Sequence, residues 1–441
     1  MKILHTADWH LGKKIEGKSM LANQIAALSD IERIAEGEKP DLVLICGDVF
    51  DTAVPPAEAE RLFFDTCERL SSYGCPVVAI AGNHDDGNRL SAARSLAARH
   101  NIYLIGDTDN SFYDAFGAEN GKGWIRIDTP SGKACIAALP YPLESFFTGL
   151  SDSDPNGIQS DENVAPCDGN DGTYAEKTNE NGAVSVAPES EKADNKADNE
   201  GENSDGEKPS DEPFDEKYTD KIRALVRECE KGFLPGEVNI FAAHIFTMPG
   251  SEEKTLGGAK ILPSDVLPDS ADYAALGHVH KRLRISRAPE TWYPGSLVPC
   301  SFAETGSRCV NIVEIEKTEN GEKSVAVRSI TLEDVKDLVK IRAKDYDEAY
   351  EKLSACDCYA EIEYDCPTPL TPAKMNALRA LPAFVKFTPC FVSDESGSRS
   401  ERKLMTDEQL FEAFFERKKG RKPDPDEQEL FIKAVGKEDI L

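Results

Sequence analysis

The sequence lacks the features that usually identify a membrane or exported protein. No stretch approaches the roughly 20 uninterrupted apolar residues that a membrane helix needs. No apolar signal-peptide core follows the initial residues MKILHTAD. These absences predict a cytoplasmic protein with no membrane partner.

Cysteine is present, but its spacing does not suggest disulfides or zinc. Among 12 cysteines, Cys356 and Cys358 form the one close pair, and no second pair lies at zinc-finger distance. Cys46, Cys67 and Cys75 lie in apolar or amphipathic runs, where a thiol behaves as a small hydrophobe. We therefore expect reduced core thiols.

Positive charge is scarce. The chain has 51 Lys and Arg against 80 Asp and Glu, a net charge of -29, whereas proteins that bind nucleic acid usually present a basic surface. Much of the excess lies in residues 151–210, which contain 16 acidic and 4 basic side chains. Elsewhere a binding groove can stay neutral or positive, and bound divalent cations would add positive charge. The net charge therefore does not exclude a DNA partner.

The first 106 residues alternate between apolar runs typical of buried strands and stretches with helical spacing. The predicted strands are residues 2–5, 41–46 and 76–80, and the predicted helices are residues 19–38, 56–72 and 88–100. This alternation is typical of an α/β domain with parallel strands.

The remaining chain is predicted to contain three further parts. Ser, Asp, Asn, Glu and Gly dominate residues 151–212, which we expect to be a disordered insertion within a domain that spans residues 1–332. Residues 333–395 show the pattern strand, helix, strand, helix, strand, which predicts a small α+β domain. Residues 396–441 are predicted to form two helices, the first of which opens on a capping box at Thr406.

Asp, His and Asn are concentrated in four segments at the carboxyl ends of predicted strands. The segments are Asp8-Trp9-His10, Gly47-Asp48, Gly82-Asn83-His84-Asp85, and His244 together with Gly277-His278-Val279-His280. In open α/β sheets, ligands bind outside the carboxyl ends of the strands. We therefore expect these segments to converge.

Their residue types suit the hydrolysis of a phosphodiester. Two cations roughly 3.5–4 Å apart can neutralise the phosphate, acidify a water and stabilise the attacking and leaving oxygens. Asp48 can bridge two ions, and Asn83 can supply an amide oxygen. Mixed imidazole and carboxylate ligands favour manganese, iron or zinc over magnesium or calcium. His84 is a candidate to protonate the leaving oxygen, with Asp85 or another acid to orient it.

Each motif also has a simpler interpretation. A D-x-H or H-x-H pair is more often a surface feature, GNHD can be a turn, Asp48 can cap a helix, and His244 can be a core histidine. Their joint occurrence at strand ends favours a dinuclear metal site. Of the other histidines, His5 lies within the first strand and is predicted to be structural, and His100 suits a helix C-terminus.

Together the segments resemble the calcineurin-like metallophosphoesterases, whose pattern is D-x-H, G-D, G-N-H-[DE], H and G-H-x-H. More narrowly, the chain is similar to the nuclease subunits of SbcCD-type complexes. That likeness rests on Thr6 to Gly12, Ala81 to Asp85, and Gly277 to His280 followed by Trp292 to Ser296. It implies an α/β fold, a two-sheet β-sandwich flanked by helices, with a small α+β cap domain and C-terminal helices.

The resemblance also implies roles for individual residues. One manganese ion would be held by Asp8, His10, Asp48 and His280, and the other by Asp48, Asn83, His244 and His278. His84 would be the catalytic histidine. The implied activity is a manganese-dependent DNA exonuclease and endonuclease that acts at DNA ends and hairpins in DNA repair and recombination.

The implied partners are DNA and an ATPase. The cap, residues 333–395, would bind DNA, and the helices in residues 396–441 would dock on the coiled-coil base of an SbcC-type ATPase. Their apolar anchors would be Phe411, Phe414, Phe415 and Phe431; alternatively these side chains pack on the chain's own cap. The likeness also implies a homodimer within a heterotetramer.

The chain departs from the family pattern in two places, and two other functions stay open. Pro294 stands where the family usually has a serine, and the acidic insertion is longer than expected. The alternatives are a small-molecule or nucleotide phosphodiesterase with the same dinuclear site, and a DNA-end-binding scaffold with weak catalysis. The cap and the apolar C-terminal helices disfavour the first, and the complete ligand set disfavours the second.

Overall fold

The chain divides into two compact units in a computed structural model. The larger unit comprises Met1–Lys14, Ser19–Cys300 and Glu304–Val335, and the smaller comprises Ile15–Lys18, Ser301–Ala303 and Lys336–Leu441. The structure describes residues 1–108, 114–116, 119–142, 216–248, 254–256, 259–304, 306–318, 322–365, 369–390, 412, 415–416, 421–424 and 428. The predicted insertion, 151–212, and most of the predicted C-terminal helices lie outside these residues.

The described strands number from the N-terminus as follows: β1 (Lys2–Thr6), β2 (Lys14–Ile15), β3 (Lys18–Ser19), β4 (Leu42–Cys46), β5 (Val77–Ile80), β6 (Ile102–Ile105), β7 (Glu119–Gly121), β8 (Trp124–Thr129), β9 (Gly132–Leu139), β10 (Val238–His244), β11 (Phe246–Thr247), β12 (Lys254–Leu256), β13 (Ala259–Leu262), β14 (Tyr273–Gly277), β15 (Leu283–Arg287), β16 (Glu290–Tyr293), β17 (Cys309–Lys317), β18 (Lys323–Thr331), β19 (Leu338–Ala343), β20 (Tyr359–Tyr364) and β21 (Phe384–Pro389). The described α-helices are α1 (Leu21–Glu38), α2 (Ala57–Ser72), α3 (Gly87–Leu90), α4 (Arg94–Ala97), α5 (Glu216–Cys229), α6 (Tyr346–Ser354) and α7 (Pro372–Arg379).

Two large sheets form the larger unit. The first has the strand order β18-β17-β1-β4-β5-β6, in which β1, β4, β5 and β6 run parallel and β17 and β18 add an antiparallel edge. The second has the order β15-β16-β14-β10-β9-β8-β7, with β9, β10, β14 and β16 parallel. The parallel strands predicted at residues 2–5, 41–46 and 76–80 are confirmed.

The two sheets pack face to face, with helices on the outer faces. One core cluster joins the facing sides of both sheets through Ile3, Leu44, Val78, Ile136, Ile240 and Ala275. Side chains of α1 and α2 pack on the outer face of the first sheet, and those of α5 pack on the outer face of the second. The expected two-sheet sandwich flanked by helices is therefore confirmed.

The smaller unit contains the predicted alternation of strand, helix, strand, helix, strand. Its strands β19, β20 and β21 form a parallel sheet, and its core includes Leu353 of α6 and Leu378 of α7. Asp345 caps α6 by accepting a hydrogen bond from the Glu348 amide, and Thr371 caps α7 ahead of Pro372. Both caps satisfy amides that a helix leaves without partners at its N-terminus.

The single helix predicted for residues 88–100 is wrong. The segment forms α3, α4 and a short 3-10 turn at Ala98–His100. The Ser91 hydroxyl donates to the Gly87 carbonyl, and the Gly87 backbone lies directly against the Gly106 backbone. A serine hydroxyl that bonds back to the preceding turn competes with regular helix geometry, so local contacts override the helical spacing.

Cys46, Cys67 and Cys75 are buried and lie outside any disulfide, which confirms their predicted place in the core. None of the helices in the described part of the chain is both long and apolar enough to cross a membrane.

Candidate metal centre and active site

The eight predicted site residues follow strands of both sheets of the larger unit. They are Asp8 and His10 after β1, Asp48 after β4, Asn83 and His84 after β5, His244 at the end of β10, and His278 and His280 after β14. Within each sheet the contributing strands are parallel neighbours. Their carboxyl ends therefore meet at one edge of the sandwich, as expected for a ligand site.

Four of these residues hold a left-handed backbone. The φ angle is 53° at Asp8, 45° at His10, 48° at Asp48 and 102° at His278. Such a conformation costs a non-glycine residue about 1–3 kcal/mol and persists where its surroundings enforce it. Here the Asp8 amide donates to the Gly47 carbonyl at 3.0 Å and the His10 amide donates to the Asp48 carbonyl at 2.9 Å. The loops after β1 and β4 thus hold each other in place.

Two motif glycines permit the close approach of the two sheets. Gly47 has a φ of 85°, and a Cβ there would overlap the His244 ring. A Cβ at Gly277 would overlap the Cys46 carbonyl oxygen. Glycine is therefore required at both positions for steric reasons.

One group of donor atoms comes from Asp8, His10, Asp48 and His280, whose ligand atoms all lie within 4.8 Å of one another. His10 Nε2 is 3.0 Å from His280 Nε2 and 3.6 Å from Asp48 Oδ2. Asp8, His10 and Asp48 are buried. Imidazole nitrogens next to buried carboxylates form a donor set that fits a divalent transition metal.

A second group of donor atoms shares Asp48. Its Oδ2 atom is 3.5 Å from His244 Nε2, and Asn83 Oδ1 lies 3.1 Å from His244 Nε2 and 2.9 Å from His278 Nδ1. The same carboxylate oxygen of Asp48 is thus close to His10 and to His244. A carboxylate in this position can be shared by both groups of donors.

The buried acids and bases of the site shift one another's pKa. Burial raises the pKa of Asp8. Burial alone would also raise the pKa of Asp48, but His244 and His10 hold it well below its usual range. Burial would lower the pKa of His244, yet the Asp48 carboxylate raises it to about 9. An imidazole binds a metal ion only after it has lost its proton, so a metal ion held by His244 would bind more weakly as the pH is lowered.

His278 differs from its neighbour His244. Burial and the charge of His244 lower the pKa of His278 to about 3, so its imidazole is neutral near pH 7. A neutral imidazole keeps a lone pair available for a metal ion.

His84 lies beside the first donor group and is exposed. Its ring centroid is 4.9 Å from that of His10, and its amide donates to Asp48 Oδ1 at 2.9 Å. Its Nδ1 atom lies 2.9 Å from the Asp51 carbonyl oxygen. The loop that carries His84 is therefore tied directly to the shared carboxylate.

The suggestion that Asp85 orients His84 is wrong. The Asp85 carboxylate accepts hydrogen bonds from the amides of Val49, Phe50 and Gly82 at 2.8–3.0 Å. It therefore fixes the backbone of the loop after Asp48. The Asp51 carbonyl, rather than a carboxylate of Asp85, faces the His84 ring.

His5 and His100 lie outside the donor groups, as predicted. His5 is fully buried, with Nδ1 2.8 Å from Tyr273 Oη and Nε2 3.2 Å from the Leu276 carbonyl. It connects β1 of the first sheet to β14 of the second. His100 is exposed at the end of a short 3-10 turn.

The structure brings two acids to the site that the sequence motifs did not identify. Asp51 Oδ1 lies 3.5 Å from His10 Nδ1, and Glu304 Oε1 lies 3.0 Å from His280 Nδ1. Asp51 follows Asp48 by three residues, so its place in the same loop was a usable signal. Glu304 lies outside every motif, and its sequence context offered none.

Comparisons with known proteins point to one family. A sequence profile described as calcineurin-like phosphoesterase matches residues 1–155. The SbcD subunit of the nuclease SbcCD from Bacillus subtilis (strain 168) is 31% identical over 452 aligned residues, which cover 99% of this chain and 98% of the relative. The protein of the same name from Escherichia coli (strain K12) is 26% identical and covers 73% of this chain and 68% of the relative.

Among solved structures, TT1561 of Thermus thermophilus aligns with 75% of this chain and 99% of its own, at 10% identity and a TM-score of 0.35. The likeness to the Bacillus subtilis protein, in contrast, extends over nearly the full length of both chains. The chain therefore belongs to the SbcD family of nucleases, and it is a metal-dependent phosphodiester hydrolase with the calcineurin-like phosphoesterase fold.

Proposed function

We propose that this nuclease hydrolyses phosphodiester bonds at DNA ends and hairpins with two Mn²⁺ ions. The observation that carries the proposal is the position of Asp48. Its Oδ2 atom lies 3.6 Å from His10 Nε2 and 3.5 Å from His244 Nε2, and each imidazole belongs to a separate set of donors. A carboxylate shared in this way supports a dinuclear centre rather than a single ion.

In this proposal one ion is held by Asp8, His10, Asp48 and His280, and the other by Asp48, Asn83, His244 and His278. When bound, the two ions would neutralise the phosphate and lower the pKa of a water. Imidazole ligands favour Mn²⁺ over Mg²⁺, which prefers a shell of oxygen atoms.

His84 is proposed to donate a proton to the leaving oxygen. If its Nδ1–H donates to the Asp51 carbonyl, Nε2 remains available to carry the proton that is transferred. The hydrogen bond from the His84 amide to Asp48 keeps the ring next to the donor groups. Proton transfer by a positioned side chain contributes about 10²–10⁴-fold to a rate.

The smaller unit, within residues 333–395, is proposed to bind DNA. Lys340 and Arg342 are two residues apart in β19 and therefore lie on the same face of the sheet, which also carries Lys386 of β21. Lys340 and Lys386 both pair with Glu361, at 3.5 and 3.6 Å. Both lysine side chains are nevertheless partly exposed, by 51% and 40%, so that DNA phosphates can contact them from the solvent side.

Residues 396–441 are proposed to dock on an SbcC-type ATPase, in a complex that contains two copies of this chain and works in the cytoplasm. Support comes from the relatives, which are named as subunits of SbcCD, and from the phenylalanines of this segment. Among these phenylalanines, Phe415 belongs to the part of the chain that the structure describes. Its side chain is half-buried, and the Arg421 guanidinium lies 5.2 Å from its ring centroid.

Deletion of residues 406–441 is expected to abolish co-purification with such an ATPase while metal binding is retained. Continued co-purification would contradict the docking proposal.

The nuclease proposal is tested with purified protein, Mn²⁺ and three substrates: linear duplex DNA, hairpin DNA and a small synthetic phosphodiester. We expect cleavage of both DNA substrates, and a loss of about 10²–10⁴-fold in rate for His84→Gln. Bound Mn²⁺ should stay at the wild-type stoichiometry in that variant. His100→Gln is the matched control, because it removes an exposed histidine away from the donor groups, and it should cleave like the wild type.

The outcomes separate the competing functions. Cleavage of the small diester alone would contradict the nuclease proposal in favour of a small-molecule phosphodiesterase. DNA binding without cleavage would favour a scaffold. A wild-type rate for His84→Gln would exclude the proposed role of that residue.

A further inference from the structure

The proposed histidine ligands differ in the group that lies behind each ring. His244 Nδ1 faces a backbone carbonyl, that of Cys46, at 2.8 Å. His10 Nδ1 lies 3.5 Å from the Asp51 carboxylate. His280 Nδ1 lies 3.0 Å from Glu304 Oε1. Of these three rings, that of His280 therefore has the shortest distance to a carboxylate, and the Cys300 thiol also lies near it.

The Glu304 carboxylate is itself fixed by hydrogen bonds to the oxygen that does not face His280. Its second oxygen, Oε2, accepts from Arg308 Nη1 at 3.1 Å and from the Cys300 amide at 3.1 Å. Arg308 is buried, and its Nη1 also donates to Ser296 Oγ at 2.8 Å. These contacts leave Glu304 little freedom to turn away from His280.

The other ring nitrogen of His280 points to the donor groups. His280 Nε2 is 3.0 Å from His10 Nε2 and belongs to the cluster that contains Asp8 and Asp48. If Nδ1 carries the proton and donates it to Glu304, the lone pair of the ring is placed on Nε2. A carboxylate behind a histidine ligand fixes its tautomer and ring orientation and makes it a stronger base.

We propose that Glu304 is a positioning residue of the metal centre, which holds His280 in the tautomer and orientation that a divalent metal ion needs. The proposal rests on the assignment of His280 as a metal ligand in the proposed function. Glu304 touches neither substrate nor metal in this scheme; it acts only through His280.

The test measures Mn²⁺ binding to the metal-free full-length protein by electron paramagnetic resonance of the free ion. In Glu304→Gln we expect one of the two dissociation constants to rise about 10–100-fold, while the other changes by no more than about 3-fold. The matched control is Glu237→Gln, which removes a carboxylate that also pairs with a buried arginine, Arg126, at 2.6 Å. We expect Glu237→Gln to bind Mn²⁺ like the wild type.

His280→Ala separates this inference from the ligand assignment beneath it. If His280→Ala binds two Mn²⁺ ions with wild-type affinity, His280 is not a ligand and the assignment fails. If His280→Ala loses one ion but Glu304→Gln binds both normally, only the role of Glu304 is overturned. A general loss of structure would weaken both sites together, so an effect confined to one site supports positioning.

A measurement on the wild type covers the case in which Glu304→Gln does not fold. Nitrogen-15 spectra of the protein loaded with diamagnetic Zn²⁺ report which ring nitrogen of each histidine carries a proton, and the His280→Ala spectrum identifies the signal. We expect a proton on His280 Nδ1 that is shifted downfield from the ring protons of the exposed His100. An unprotonated Nδ1 at His280 would overturn the proposal.

Discussion

Gly277 is a single residue on which the approach of the two sheets depends. A Cβ at this position would overlap the Cys46 carbonyl oxygen, which is a backbone atom at the end of β4 and cannot turn away as a side chain could. The overlap can be removed only if β14 and β4 move apart. We expect Gly277→Ala to lower the free energy of unfolding by about 3 kcal/mol or more, measured by urea denaturation of the metal-free protein.

Gly236→Ala is the matched control, because a Cβ at Gly236 would meet no atom within 4 Å. Its free energy of unfolding should stay within about 0.5 kcal/mol of the wild type. Equal costs for the two substitutions would show that steric overlap at Gly277 is not limiting.

His5 makes the stability of the fold depend on pH. Burial lowers its pKa from 6.5 to about 3 in the folded protein, so the unfolded chain takes up a proton that the folded chain does not. The contribution of His5 to the free energy of unfolding is therefore fully present above pH 6.5, and it is lost progressively as the pH falls toward 3. For these pKa values the loss from pH 7 to pH 5 is about 2 kcal/mol.

The contribution of His5 can be isolated with His5→Gln, whose amide can hydrogen-bond but does not titrate. In metal-free protein, the wild type should lose about 2 kcal/mol more than this variant between pH 7 and pH 5, as measured by urea denaturation. The same pH dependence in both proteins would show that His5 is not the responsible group.

Among the larger elements, α2 connects the hydrophobic core to the site loops. Phe63 of α2 is fully buried, and its ring lies 6.1 Å from that of Trp9 and 5.5 Å from that of Phe50. Trp9 stands between Asp8 and His10, and Phe50 follows Asp48 by two residues. The packing of one helix therefore supports two loops that carry proposed ligands.

Phe63→Ala is expected to lower the free energy of unfolding by about 3–5 kcal/mol, because it leaves a cavity in the core. It should also weaken Mn²⁺ binding, since the loops on either side of the cavity lose their support. Calorimetry and Mn²⁺ titration measure the two effects.

The adjacent Phe64 offers a matched control, because 36% of its surface is exposed. Phe64→Ala should cost about 1 kcal/mol or less and leave Mn²⁺ binding unchanged. If the two alanine variants were equally stable, the inward face of α2 would have been assigned incorrectly.

For the larger unit as a whole, the proposed ligands come from both sheets. Asp8 and Asp48 follow strands of the first sheet, whereas His244 and His278 belong to strands or loops of the second. A metal ion that binds these residues binds only the folded chain, so it resists separation of the sheets. Each site adds about 2.7 kcal/mol to the free energy of unfolding when free metal is 100 times its dissociation constant.

We therefore expect Mn²⁺ to raise the thermal midpoint of unfolding relative to protein in EDTA, as followed by circular dichroism. The rise should be much smaller in Asp48→Asn, because the amide carries no charge and is a poorer shared ligand. An equal midpoint with and without Mn²⁺ in the wild type would contradict metal binding across the two sheets.

Local patterns in the sequence were sufficient for much of the fold. Apolar runs predicted β1, β4 and β5, and helical spacing predicted α1 and α2, because burial of one face imposes a period that is visible over a few residues. The same reasoning failed for residues 88–100, where Ser91 and the close contact of Gly87 with Gly106 divide the helix. Gly106 is distant from the start of that segment, so its effect is absent from the local pattern.

Some features of the candidate site could likewise be predicted from local sequence patterns, and others could not. The residue types that follow the strands can be read directly from the chain. Because parallel strands place their carboxyl ends at one edge of a sheet, the convergence of Asp8, Asp48 and His244 could be predicted. Which group lies behind each histidine ring, in contrast, depends on the folded chain. Asp85 accepts hydrogen bonds from backbone amides, Asp51 lies near His10, and Glu304 lies at hydrogen-bond distance from His280. These contacts depend on how loops that are far apart in the chain pack against one another. The spacing of Asp51 from Asp48 gave a hint of its place near the site, but residue type and spacing alone do not predict the contact of Glu304 with His280.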